Sequence, residues 1–329
     1  MAENSLLFLL ILLIPILIFA ILAFIVRPRP VKIPIKGRHI FITGGSSGIG
    51  LAIAHQAASE GARVSILARN RDKLEEARNS IRLSTGIDVS IFSVDVRDYE
   101  AVRKAIDDAG PIDILVCNQG VFTPGELESQ DLETIKFMID VNLMGTFHLI
   151  KAALPGMKNR GDSLPSSIAL MSSQAGQVGI YGYTAYSASK FGLKGLGEAL
   201  QQEVIGYNIH VSLIFPPDTE TPGFAEENKV RPQLTSIIAA TSGAMKADEV
   251  AKRTLNGIKS GTFIVSCNLE GFFLSLATSG LSPQRSALIA FFEVVGAGFL
   301  RIIALATQWN WYGSIEKWHV QKNSKSSTK

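Results

Sequence analysis

Tyr186 and Lys190 stand four residues apart in the stretch GYTAYSASKFGLKG. Residues at that spacing share a face of a helix. An ammonium beside a phenol favours the phenolate and lowers a pKa that is otherwise near ~10. A group that must give and take a proton works best when it titrates near the working pH. The pair therefore suits proton donation to an alkoxide developing at a carbonyl that receives a hydride. Tyr183, seven residues from the same lysine, is the alternative phenol. Such a pair also arises by accident on ordinary helices, so its meaning depends on what the rest of the chain brings to it.

A second group with chemical content is TGGSSGIG, residues 43–50. Gly44 permits a tight turn, and Gly48 and Gly50 let backbone approach a pyrophosphate and let helix pack on strand. A helix that starts here aims its free N–H groups and its positive dipole end at the anion. Gly44, Ser46, Ser47, Gly48, Ile49 and Gly50 are the candidate cofactor contacts in this turn. Further on, LARNRDKL places Arg69 where an NAD-preferring site carries an acidic residue for the ribose hydroxyl. A guanidinium there suits the 2′-phosphate, so the expected cofactor is NADPH. Lys73 is a further candidate, with a solvated helix face as its ordinary role. Asp95 is a candidate acceptor for the adenine amino group, with Val96 against the ring. The ordinary role for Asp95 is an N-terminal helix cap.

The elements that position these residues alternate. RHIFIT, RVSILA, DVSIFSV, DILVC, SIALMS, HVSLIF and TFIVS are short β-branched runs separated by helix-like segments. That alternation predicts right-handed βαβ units and an α/β, doubly wound parallel sheet of seven strands, of the Rossmann type. Ligands of such sheets bind at the carboxyl ends of the strands, and each motif above falls at such an end or on the helix that follows.

Taken in order and spacing, TGGSSGIG, Asn142 in DVNLMG, SIALMSSQAG and YSASK resemble the short-chain dehydrogenases/reductases over residues 37–266. The resemblance implies Tyr186 as the acid–base and Lys190 as its activator and a contact of the nicotinamide ribose. It implies Ser173 as the residue that orients the substrate carbonyl, and Asn142 as the holder of a water in a proton relay to Lys190. Ser172 is the rival serine, and the separation from Tyr186 favours Ser173. Two departures stand out. The family's NNAG is here CNQG, residues 117–120, in which Asn118 and Gly120 fit but Gln119 replaces a small residue. Its Pro-Gly after the sixth strand is here Pro216-Pro217, and a proline fixes φ and removes an N–H. Asn118, Pro217 and Thr219 are carried over as cofactor contacts, with Thr221 a further candidate.

The segment FPPDTETPGFAEENKVRPQ, together with the stretch around Tyr186 and the N-terminus, resembles a branch of that family acting on a long-chain ketone lipid at the endoplasmic reticulum membrane. Glu226 and Glu227 lie in the expected substrate loop, where they face either a substrate amine or solvent. Reductases of steroid or retinoid carbonyls share the anchor habit, and a nucleotide-binding scaffold without turnover is the alternative outside enzymes. The family also commonly pairs two copies through its long helices.

The remainder of the chain bounds this reading. It has 329 residues, 47% apolar and 19% charged, with a net charge of +3 and no long basic block, which argues against a nucleic-acid partner. Two cysteines this far apart make no disulfide framework. The five histidines have no metal-ligand spacing. Residues 6–26 are uncharged and apolar, long enough as a helix to span about 31 Å, one hydrocarbon core. The basic residues follow it, so the anchor is expected to hold the body on the cytosolic side. The expected division is an anchor over 1–26, a stiff basic linker over 27–37, the reductase domain over 38–267, an apolar membrane-associated region over 268–308, and a basic tail over 309–329, of which residues 317–329 are expected to be disordered. Glu293 and Arg301 count against a second spanning helix, each costing ~2.5–3.5 kcal/mol at a bilayer centre. An interfacial or re-entrant element is therefore expected there.

Overall fold

In the computed structural model, residues 2–27, 30–239 and 243–326 are described. Pro28 and Arg29 of the expected linker and the end of the basic tail lie outside them. The seven expected strands are present: β1 (His39–Thr43), β2 (Arg63–Ala68), β3 (Ser90–Ser93), β4 (Ile114–Cys117), β5 (Ser166–Met171), β6 (Ile209–Phe215) and, last in sequence, Ile264–Ser266. They form one parallel sheet in the order β3-β2-β1-β4-β5-β6 followed by that last strand. The pairs Thr219–Glu220 (β7) and Met245–Lys246 (β8) add a two-stranded ladder that the sequence did not announce, so Ile264–Ser266 is β9.

Helices fill the gaps between strands. After α1 (Ala2–Val26) come α2 (Gly48–Ser59), α3 (Arg71–Thr85), α4 (Tyr99–Ala109), α5 (Leu132–Ile139), α6 (Gly145–Lys158) and α7 (Thr184–Val204). Then follow α8 (Pro222–Val230), α9 (Gln233–Ala239), α10 (Ala247–Ser260), α11 (Leu269–Ala277) and α12 (Ala287–Ser326). Side-chain caps fix several starts: Asn70 for α3, Asp98 for α4, Thr221 for α8 and Asn268 for α11 each accept a backbone N–H of the first turn. The α4 cap is thus Asp98 and not Asp95, whose ordinary role had been expected there.

Every residue of β1, β4, β5 and β6 is buried, because helices cover both faces of the sheet. Alternation along β1 divides the core: Ile40 and Ile42 pack with Ile53, Leu74 and Leu255 on one face, and Phe41 packs with Leu115, Leu149 and Leu213 on the other. Burial of each such side chain contributes about 1.5–3 kcal/mol.

Outside this body, α12 departs from expectation. The apolar region expected over 268–308 divides into two helices on either side of SPQR, residues 282–285, and the second continues without a break through Trp309, Trp311, Tyr312 and Trp318 and most of the basic tail. No proline interrupts residues 287–326, and helix propagation is favourable once a nucleus exists. Phe291 of α12 meets Phe19 of α1 edge-on, with ring centres 6.1 Å apart. Two stretches of the described residues are long and apolar enough to cross a membrane. Leu132–Lys158 is nearly half buried in the body, whereas Ala287–Lys322 is almost wholly exposed.

Candidate active site

The carboxyl ends of β1, β2 and β4 frame a groove of about 370 Å³. Ser46, Ser47, Gly48 and Ile49 line it, and so do Gly44, Arg69, Lys73, Asp95, Val96 and Asn118. Gly44 and Gly48 adopt φ of +63° and +55°, which a side chain resists. Gly50 does not line the groove. A Cβ there would sit 2.2 Å from the Gly44 carbonyl oxygen, so this glycine lets α2 close onto the turn. Ser47 precedes α2 in extended conformation and makes no side-chain cap, which leaves the first N–H groups of α2 facing the groove.

Arg69 is exposed at the groove's rim, and its guanidinium lies 5.9 Å from the Phe137 ring centre. Among the described residues no carboxylate lies within ion-pairing distance of it. Asp95 is differently placed. Its carboxylate is held by Arg97 at 2.7 Å and also accepts the Arg97 backbone N–H, and these contacts keep it below the usual carboxylate range. Any adenine contact must therefore share an oxygen already engaged. Asn118 is braced from behind, its side-chain amide donating to the Thr43 carbonyl at 3.1 Å.

Gln119 does not enter the groove with its amide. That amide points into the core, accepting from the Thr43 hydroxyl and donating to Thr146 at 2.9 Å. The departure from the family motif is thus absorbed by packing beneath the cofactor floor.

The groove continues into a smaller pocket of about 170 Å³ where Ser173, Tyr186 and Lys190 meet. Strand β5 is followed by Ser172 and Ser173, whose side chains diverge. Ser172 is buried and donates to the Lys190 carbonyl at 2.9 Å, tying the strand to α7. Ser173 faces the same pocket as the Tyr186 phenol, and its hydroxyl accepts the Ala175 backbone N–H at 3.2 Å. Phe122 packs on both phenol rings, with ring centres 4.3 Å from Tyr186 and 4.6 Å from Tyr183. Tyr183 belongs to the same pocket, but its hydroxyl has no hydrogen-bond partner among the described residues.

Lys190 is buried, donates to the Met171 carbonyl at 2.9 Å, and places Nζ 5.6 Å from the Tyr186 ring centre. Its charge state follows from burial, which pushes the ammonium down to about 8. Burial likewise pushes the Tyr186 phenol up, seconded by Glu227, while the neighbouring Ser173 hydroxyl pulls it down. Desolvation of the phenolate and the acidic groups Glu227 and Asp218 act in the same direction on this phenol. Tyr186 is held as the acid, the form that donates a proton.

Asn142 lies on a wider, π-helical turn between α5 and α6, fully buried. Its amide exchanges two hydrogen bonds with the Val121 backbone, at 2.8 and 3.0 Å, and donates to Ser189 at 3.0 Å. Gly120 stands between it and the lysine: a Cβ there would lie 3.5 Å from Lys190 Nζ and 3.6 Å from Asn142 Oδ1.

Pro217 and Thr219 line the catalytic pocket, and the Thr219 hydroxyl is spent on the Pro217 carbonyl at 2.9 Å. Thr221 instead caps α8 and reaches the nucleotide groove beside Gly48. The expected substrate loop is helical here, and the two glutamates part. Glu226 is exposed and paired with Lys229 at 2.6 Å. Glu227 is half-buried in the pocket with Tyr186 and Lys190, without a hydrogen bond or ion pair among the described residues. Burial, reinforced by Asp218, raises its carboxyl to about 8. Phe122 and the Asp218–Arg231 pair, 2.9 Å apart, were not found from the sequence. Neither carries a motif, and only the return of α8 brings the pair to the pocket.

Comparison with known proteins agrees with this geometry. A family profile described as short chain dehydrogenase matches residues 38–232. A 3-dehydrosphinganine reductase of Arabidopsis thaliana is 66% identical over 305 residues, covering 93% of this chain and 92% of its own. A 3-ketodihydrosphingosine reductase of Bos taurus is 39% identical over 289 residues, covering 85% of this chain and 86% of its own. Among solved structures, a short chain dehydrogenase from Mycobacterium paratuberculosis bound to NAD superposes with a TM-score of 0.63 at 25% identity, covering 71% of this chain and 97% of that one.

Proposed function

Since the chain belongs to the short-chain dehydrogenase family, we propose that it is the membrane-bound enzyme that reduces 3-dehydrosphinganine (3-ketosphinganine) to sphinganine with NADPH, a step of sphingolipid synthesis. The observation that carries this is the meeting of Ser173, Tyr186 and Lys190 at the end of a dinucleotide groove, in a chain two-thirds identical to a reductase of that ketone.

The groove suits the cofactor. The uncapped start of α2, the close approach that Gly50 allows, and an Arg69 without an ion-pair partner together fit a pyrophosphate and a 2′-phosphate. When bound, NADPH supplies the hydride. Ser173 holds the ketone oxygen and Tyr186 donates its proton as negative charge develops there. Burial keeps that proton on Tyr186 until it is needed. Lys190 supplies positive charge beneath the phenol and contacts the nicotinamide ribose. Lys190 returns a proton to the Tyr186 phenolate, and Asn142 holds the water through which Lys190 in turn recovers one from solvent, across the gap kept open by Gly120. Glu227 faces the substrate's amine, which is carried on the carbon next to the ketone.

The same reading extends to the membrane. Helix α1 anchors the chain over residues 1–26, the linker over 27–37 keeps the body at the bilayer, and α12 lies against or within the lipid. The membrane is that of the endoplasmic reticulum, with the reductase domain over 38–267 in the cytosol. The exposed apolar side chains of α1 and α12 and their mutual packing support membrane association. Pairing of two copies through the long helices of the body, as the family commonly does, belongs to the same proposal.

Incubation of purified full-length protein with 3-dehydrosphinganine and NADPH, followed by mass spectrometry, tests the function. Sphinganine is the expected product, and its absence in a protein that still binds NADPH would reject the assignment.

A further inference from the structure

Beyond the catalytic pocket lies a second cavity, of about 310 Å³. The two share a mouth, since Ser173, Tyr183, Pro217 and Asp218 line both. From there the second cavity runs between α11 and α12. Leu274 and Ala277 line it from α11, and Leu300, Ile303, Ala304 and Trp311 line it from α12. The α12 residues recur at helix-face spacing, so they form one stripe turned toward the body. From Leu300 to Trp311 that stripe is about 17 Å long at 1.5 Å per residue.

The remaining faces of α12 are of a different kind. Phe292, Val295, Phe299 and Ile302 are exposed, a contiguous apolar surface of the sort that marks contact with lipid or a partner. Helix α12 therefore presents apolar side chains both to this cleft, where Ile303 is still 46% exposed, and to the outside, and the cleft adjoins the pocket that holds Tyr186.

Resting on the lipid-ketone reading above, we propose that this cavity takes the saturated alkyl chain of the substrate. The ketone sits at Ser173 and Tyr186, and the chain runs along α12 toward Trp311. The catalytic pocket is too small and too polar to hold such a chain itself. The adjoining cavity shares its mouth and is walled mostly by apolar side chains, with Gln174, Glu270, Thr307 and Gln308 among them. Burial of a methylene is favourable by an amount equivalent to roughly fourfold in affinity, so a chain lying in this cavity draws binding energy from each carbon that it covers.

The test uses full-length protein in lipid nanodiscs, NADPH and a series of 2-amino-3-keto-1-alcohols of increasing chain length, with each rate referred to the free aqueous concentration of the ketone. In the wild-type protein kcat/KM should rise roughly fourfold per added methylene until the cavity is full. Ala304→Trp should lower kcat/KM about 100-fold for the longest ketone, the loss of three or four covered methylenes, and leave the shortest nearly unchanged. Ala277→Trp, from the opposite wall, should do the same and stands in if the first variant no longer binds NADPH. A photoreactive group at the chain's far end should crosslink the wild-type protein between Leu300 and Trp311. Equal losses for short and long ketones in variants that bind NADPH normally, a wild-type rate indifferent to chain length, or crosslinks outside α11 and α12 would each overturn the proposal. A wild-type protein that reduces no ketone of any length would instead remove the function on which the proposal rests, and the proposal with it.

Discussion

At the nucleotide end of the site the contacts are backbone, open to water and set by glycine. At the catalytic end they are side chains, enclosed by Phe122, Tyr183 and α8. Gly44, Gly48 and Gly50 contribute by what they lack, and Arg69 adds one exposed cation at the rim. Tyr186, Lys190 and Glu227 contribute by being partly or wholly removed from water, and each titrates away from its ordinary value for that reason first. The contrast shows that affinity and reactivity are placed in different media. A dinucleotide held by N–H groups needs no shifted pKa. A proton donor needs its neutral form preserved until the ketone oxygen becomes basic, and desolvation does this.

The sharpest way to break the comparison is at the phenol. Tyr186→Phe should lower kcat by roughly 10²–10⁴-fold while NADPH binding, followed by fluorescence titration, stays nearly unchanged. A comparable loss of NADPH affinity would mean that the two ends are not separable. At the other end, Arg69→Ala should weaken NADPH by about 10–100-fold, the equivalent of one or two charge-assisted hydrogen bonds, and leave NADH almost unaffected. Equal losses for both dinucleotides would reject the 2′-phosphate contact.

Smaller effects sharpen the contrast within the catalytic pocket. Glu227→Gln should raise KM about 10-fold for the amine-bearing ketone, through loss of a charged hydrogen bond, and have little effect on an analogue without the amine. If both ketones respond alike, Glu227 does not face the amine.

The smallest expected effect is in stability. The Glu227 carboxyl is raised from an ordinary 4.5 to about 8 in the folded chain. A raised carboxyl binds its proton more tightly when folded, so its contribution is present below the ordinary value and lost as pH rises through about 8. Asp218, Arg231, Lys190, Tyr183 and Tyr186 all face this group, and they titrate with it or set its field. The melting temperature of Glu227→Gln should therefore fall less than that of wild type between about pH 5 and 8. Parallel melting curves across that range would show that the buried carboxyl carries no such linkage.

Much of this molecule was legible in its sequence because the relevant signals are local. The seven strands announce themselves as short β-branched runs, and TGGSSGIG requires its turn whatever lies around it. The four-residue step from Tyr186 to Lys190 fixes one helix face, and Ser173 rather than Ser172 faces the phenol as its spacing predicts. The C-terminal tail was misjudged because polar composition suggests disorder, yet nothing in the chain stops the helix from Ala287 to Ser326.

What the sequence determined by itself was therefore the sheet, the dinucleotide turn and the helix face that Tyr186 and Lys190 share, since periodicity and spacing act over a few residues. Tertiary structure alone decided how those side chains titrate. It also turned Gln119 away from the groove, and it brought Glu227 and the α11–α12 cavity to the phenol. These depend on how much water packing excludes and on which distant elements meet, and neither quantity is written in any single stretch of chain.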